Sequence, residues 1–110
     1  MIDLNELKKI TLGIYEKRRA NGANLGTDHL KHCAGELIEA VNAREEFYER
    51  CKRVEKKRYI KLQTEYAHEL SDIIICVLNE AEKANIDIEK AILEVVEKNR
   101  LRAEGKGDKK

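Results

Sequence analysis

Six apolar residues stand in unbroken succession at Ile73–Leu78 (IIICVL), directly after Asp72. A helix through such a run is hydrophobic on every side and has to be covered on every side. The run is far too short to cross a bilayer, which takes about 20 residues. The chain has 110 residues, enough for one domain that buries roughly two-thirds of its unfolded surface. Covering this helix therefore calls for neighbouring helices and for a second subunit.

No proline interrupts the chain, and charged and aliphatic helix formers dominate it. That composition predicts an all-α protein. A formal net charge of +1 does not mark out a nucleic-acid polymer or a membrane surface as partner. Cys33, Cys51 and Cys76 form no close pair and no zinc spacing, which suits a reducing, cytoplasmic setting. The opening MIDLNELKKI is amphipathic and charged throughout, unlike a secretory signal.

Periodicity predicts four helices. The first runs from about Leu4 to Arg19, with Leu4, Leu7, Ile10 and Ile14 as its apolar stripe, and NGANLG (21–26) ends it. Thr27 or Asp28 caps the second, whose apolar positions are Leu30, Ala34, Leu37, Ile38 and Val41. Gly35 inside that helix costs about 1 kcal/mol against alanine, and close packing against another helix would account for it. The Lys/Arg-dense stretch Cys51–Lys61 either extends a helix or forms a solvated connection. The third helix runs from about Gln63 to Ala84, closed by Asn85 in a left-handed conformation. Asp87 caps the fourth, whose stripe is Ile88, Ala91, Ile92, Val95 and Val96. One domain is expected over residues 1–104, followed by a flexible basic tail at 105–110.

Two acidic pairs are set into these helices: Glu36-x-x-Glu39 in the second and Glu69-x-x-Asp72 in the third. Residues three apart share a helix face, so each pair points two carboxylates the same way. Two such helices packed side by side bring four carboxylates together. Left alone, the cluster costs several kcal/mol in repulsion and desolvation, and a divalent cation removes that cost. A set of hard oxygens without Cys or His favours Mg²⁺, or Mn²⁺ in its place, over zinc. In the fourth helix the line Ile88–Ile92–Val95 continues to Asn99 and Arg102. Either these two face inward, as groups suited to phosphate and to base or sugar edges, or the stripe has reached solvent.

The segments GELIEAVNA (35–43) and ELSDIIICVLNEAEKANIDIEKAILEVVEKNRLR (69–102) resemble the MazG-like all-α nucleoside triphosphate pyrophosphohydrolases. The shared pattern is an ExxE helix, an ExxD helix, a short turn and a helix ending in K-N-x-x-R. Here it falls on Glu36, Glu39, Glu69, Asp72, Lys98, Asn99 and Arg102. IDIEKAI (86–92) and the first-helix segments LNELKKI and IYEKRRANG are similar to the family as well, so the likeness spans almost the whole chain. The resemblance implies a four-helix bundle that forms a homodimer or homotetramer. It implies cleavage of a nucleoside triphosphate to the monophosphate and pyrophosphate, with Mg²⁺ held by the four acids and the nucleotide contacted by Lys98, Asn99 and Arg102. Many relatives carry an aromatic pair after the first helix that helps to hold the base. NGANLG has none, which leaves Phe47, Tyr48 or Tyr59 as substitutes.

Other readings stand beside this one. Glu65-x-x-His68 matches half of a di-iron carboxylate signature, which needs a second Glu-x-x-His and two further glutamates. A helical nucleotide-binding or interaction module without catalysis is another. His32, four residues before Glu36, either touches phosphate or packs as a neutral ring.

Overall fold

The computed structural model describes residues 2–50 and 54–106. Within them it contains four helices and no strand: α1 (Leu4–Ala20), α2 (His29–Arg50), α3 (Lys56–Lys83) and α4 (Ile88–Ala103). Cys51 and residues 107–110 of the expected tail lie outside the described residues.

Local chemistry sets the helix ends. The Asp3 carboxylate accepts from the amides of Asn5 and Glu6 at the start of α1. Asp28 accepts from the Lys31 amide at the start of α2 (3.1 Å), and Asp87 from the Lys90 amide at the start of α4 (3.1 Å). Each cap satisfies a donor that has no partner within the helix. Gly22 (φ 98°) and Asn85 (φ 56°) carry the left-handed turns after α1 and α3, and the Ile86 amide closes back on the Ala81 carbonyl (2.9 Å). The basic stretch is helical from Lys56 onward, so Lys56–Lys61 forms the first turns of α3 and not a solvated connection. The straight-chain Lys and Arg of that segment favour a helix.

α2 and α3 run antiparallel and form the central pair. Their facing seams repeat in steps of three and four. On α2 the seam is His29, Cys33, Glu36, Ala40, Ala43 and Phe47; on α3 it is Leu62, Tyr66, Glu69, Ile73, Cys76 and Glu80, all buried or half-buried. That is the spacing of a coiled-coil seam, and two of its central positions are occupied by glutamates. At the far end Phe47 packs against Tyr59 and Tyr66, with ring centroids 5.4 and 5.8 Å away.

α1 lies across the C-terminal part of α3, and α4 packs against α1. The inward face of α1 keeps Leu4 and Leu7 of the expected stripe, both half-buried, but not its later positions. Lys8 and Tyr15 are buried, whereas Ile10 and Ile14 are 55% and 57% exposed. The stems of Lys8 and Tyr15 fill apolar space while their tips reach backbone carbonyls. The Lys8 ammonium bonds the Ile86 carbonyl and the Tyr15 hydroxyl donates to the Gly26 carbonyl (2.8 Å). A polar knot joins α1 to α4. The Leu4 amide donates to Glu89 Oε1 (2.7 Å), Asn5 Nδ2 to Asp87 Oδ1 (2.9 Å), and the Ile88 amide to Asn5 Oδ1 (3.2 Å).

Much apolar surface is left over. Among the described residues, seven hydrophobic ones are buried and seventeen large ones are exposed, including Leu37, Ile38, Ile74, Ile75, Val77, Ile92, Val95 and Val96. Within a single chain the later part of the α4 stripe, Ile92, Val95 and Val96, faces outward, while Ile88 and Ala91 are half-buried. Gly35 is exposed, and a methyl group added there would meet nothing within 4 Å, so no neighbouring helix of the same chain requires it. The radius of gyration is 17.4 Å, against about 13 Å for a compact domain of about this length.

Candidate metal centre and adjoining cleft

Midway along the α2–α3 seam, single ligand oxygens of Glu36, Glu69 and Asp72 lie within 4.8 Å of one another. The helix spacing explains the convergence. Glu69 and Asp72 are one turn apart on α3, and the seam places Glu36 opposite them on α2. Glu39 stands outside this set of three but within hydrogen-bonding reach of Glu69. Burial, and then the negative charges of Glu39, Asp72 and Glu36, raise the Glu69 carboxyl above its ordinary value. Glu36 Oε2 and Glu69 Oε2 are both buried and have no hydrogen-bond partner. Buried carboxylate oxygens in that condition are rare and costly, and a hard divalent cation supplies what both lack. The residues present thus fit a cation of the Mg²⁺ class.

The acids open onto a cleft of about 480 Å³ formed by α1, the loop after it, α2 and α3. Ile14, Leu25 and Ile75 supply apolar wall, Arg18 supplies a cation, and Glu36 and Asp72 lie at the acidic side. Tyr15 and His32 stand between them. Asn79, only 1% exposed, lines the same cleft with its Oδ1 unpartnered. Cys76 also lines it; burial pushes its thiol up to about 11, far from the thiolate that reactive cysteines need.

The other expected site residues are distributed differently. Lys98, Asn99 and Arg102 are exposed on α4 and line no part of this cleft within one chain. Phe47, Tyr48 and Tyr59 cluster with Tyr66 at the opposite end of α2 and α3. Phe47 is eleven residues from Glu36, about 16 Å along a helix, so these rings do not replace the missing aromatic pair in their own chain's cleft. Glu65 and His68 are exposed and take no part in the acidic cluster.

Sequence reasoning missed two contributors, Arg18 and Asn79. They gave no signal of their own; only the crossing of α1 over α3 brings them to one cleft. His32 stands out in the sequence for its spacing, and its Nε2 lies 2.9 Å from Glu36 Oε1. Comparison with protein-family models, with curated proteins and with solved structures finds no match.

Proposed function

We propose that this chain is a Mg²⁺-dependent nucleoside triphosphate pyrophosphohydrolase of the MazG-like kind, with Mn²⁺ able to replace Mg²⁺. The observation that carries the reading is the pair of buried, unpartnered carboxylate oxygens on Glu36 and Glu69, converging with Asp72 at the edge of a nucleotide-sized cleft. The sequence resemblance supplies the reaction class. It also extends the ligand set to Glu39, whose carboxylate stands against Glu69.

A bound Mg²⁺ supplies charge neutralisation for the triphosphate and polarises water. The chain's own groups do the rest. Glu36, Glu69 and Asp72 hold the cation, and Arg18 offers a forked donor to phosphate oxygens at the mouth of the cleft. The Asn79 carbonyl accepts from a sugar hydroxyl or a base N–H. Hydrolysis of the α–β anhydride consumes one water, whose oxygen ends on phosphorus while pyrophosphate leaves. Whichever of the four carboxylates the cation leaves unsaturated takes the water's proton.

The working unit is a homodimer or homotetramer. The exposed faces of α3 and α4, and a radius of gyration well above that of a compact domain, support a second copy as the missing cover. In such an assembly Lys98, Asn99 and Arg102 complete a cleft on the partner subunit. Light scattering at micromolar concentration should report a dimer or tetramer; a stable monomer would remove this part of the proposal.

Incubation with a panel of nucleoside and deoxynucleoside triphosphates tests the activity. Pyrophosphate and the monophosphate should form in equal amounts, only with Mg²⁺ or Mn²⁺ present. Release of inorganic phosphate instead, or nucleotide binding with no turnover, would refute it.

A further inference from the structure

We propose that His32 is a positioning residue for Glu36, part of a chain of contacts that runs from the loop after α1 through Tyr15 and His32 to the acidic cluster. The inference rests on reading that cluster as a divalent-cation site.

His32 and Glu36 lie one turn apart on α2, on the same face. Glu36 Oε1 is 2.9 Å from His32 Nε2. An ionised carboxylate only accepts hydrogen bonds, so Nε2 is the nitrogen that carries the proton in this contact. The other ring nitrogen, Nδ1, lies 3.4 Å from the Tyr15 hydroxyl, whose own hydrogen goes to the Gly26 carbonyl at 2.8 Å; in the neutral ring both atoms are acceptors, so Tyr15 confines His32 by packing, with ring centroids 5.8 Å apart. Tyr15 is buried and meets His29 edge-on at 5.0 Å between centroids, which fixes it from a second side.

On an open helix surface a histidine–glutamate pair of this spacing adds only a few tenths of a kcal/mol. Here the consequence is geometric. One Glu36 oxygen is committed to the imidazole, while the other, Oε2, stays buried and unpartnered. A carboxylate tied down at one oxygen presents the other in one direction, with little orientational freedom left to lose when a cation arrives. Groups in this outer position typically govern metal affinity by about 10–100-fold. His32 thus acts through Glu36 and needs no contact with substrate.

Mn²⁺ binding, followed by the loss of the free-ion paramagnetic resonance signal, tests this on the full chain without turnover. The variants are His32→Leu and His32→Ala, which remove the donor, His32→Gln, which returns an N–H at similar reach, and Tyr15→Phe, which keeps the ring packing but removes the hydroxyl bonded to Gly26. His32→Leu and His32→Ala should weaken Mn²⁺ binding about tenfold or more while the metal-free melting temperature stays near wild type. His32→Gln should recover most of the affinity, and Tyr15→Phe should lose less than His32→Leu. If wild type binds Mn²⁺ and the donorless variants bind it equally well, His32 is a packing residue and the inference fails alone. If the wild-type chain binds no Mn²⁺, the cation site itself is wrong and the inference falls with it.

Discussion

The polar knot between α1 and α4 and the acidic stretch of the α2–α3 seam are built from the same residue types, and they end in opposite states. In the knot, Asn5 bonds both the Asp87 carboxylate and the Ile88 amide, Glu89 receives the Leu4 amide, and Lys8 reaches Ile86 and Glu82. In the seam and its cleft, His29 Nδ1, Glu36 Oε2, Glu69 Oε2 and Asn79 Oδ1 are buried without partners. Among the described residues these four atoms all belong to α2 and α3, and none to the knot. Buried polar groups that satisfy one another hold a fold together, whereas groups left unsatisfied cost stability unless something outside the chain pairs with them. The knot is therefore satisfied within the chain, and the seam keeps the buried acceptors that the proposed cation would pair.

The sharpest way to break this contrast is to treat both regions alike. Asp72→Asn keeps shape but removes one charge from the seam. Turnover should fall by about 10²-fold or more, a loss of about 2.7 kcal/mol in transition-state stabilisation. Metal-free stability should hold or rise, because a repulsion has been relieved. Pyrophosphate release and thermal melting measured on the same preparation separate the two effects; an unfolded variant, or one with full activity, would remove Asp72 from the site.

Lys8→Met in the knot should do the reverse. It leaves the Ile86 carbonyl and the half-buried Glu82 without their cation. The expected cost is about 1–3 kcal/mol of stability, read by urea denaturation, with Mn²⁺ affinity unchanged. Lost affinity in a folded Lys8→Met chain would mean that the two regions are coupled.

A smaller effect, with opposite signs, comes from pH. The Glu69 carboxyl is raised above its ordinary 4.5, so the folded state holds that proton more tightly than the unfolded one. Its protonated form favours folding, and metal-free stability declines as pH climbs from 4.5 through the raised value. Hydrogen bonds from the Asn5 side chain and the Lys90 amide hold Asp87 below its ordinary 3.8. Its contribution is present above 3.8 and is lost as pH falls through the lowered value. Urea midpoints from about pH 3 to pH 7 should show Glu69→Gln flattening the first slope and Asp87→Asn the second.

How far the sequence speaks depends on the range of the physics involved. Helix ends were readable because a cap is a contact between near neighbours: Asp28, Asn85 and Asp87 act where their local pattern places them. The acid spacing was readable for the same reason, since three residues fix a shared face. The inward faces were legible only in part. Leu4, Leu7 and Val41 are half-buried as their stripes predict, yet Ile10, Ile14, Leu37 and Ile38 stand exposed while Lys8, Tyr15 and Glu36 turn inward. Apolar periodicity marks a face that has to be covered without saying whether the cover lies in the same chain. On α4 the sequence leaves Asn99 and Arg102 between an inward and a solvent-facing position, and within one chain both are exposed. Arg18, His32 and Asn79 come together only through the crossing of α1 over α3, which no local pattern encodes.

The contrast comes down to whether the seam takes up a cation. Calorimetric titration of Mn²⁺ and of Mg²⁺ into the metal-free wild-type chain, and into a Glu36→Gln/Asp72→Asn double variant, asks this directly. Saturable binding should appear in the wild type and vanish in the double variant, while the variant's metal-free melting temperature equals or exceeds that of the wild type. Absence of saturable binding in the folded wild type, or equal binding by the two proteins, would contradict the assignment of Glu36, Glu69 and Asp72 as a cation site.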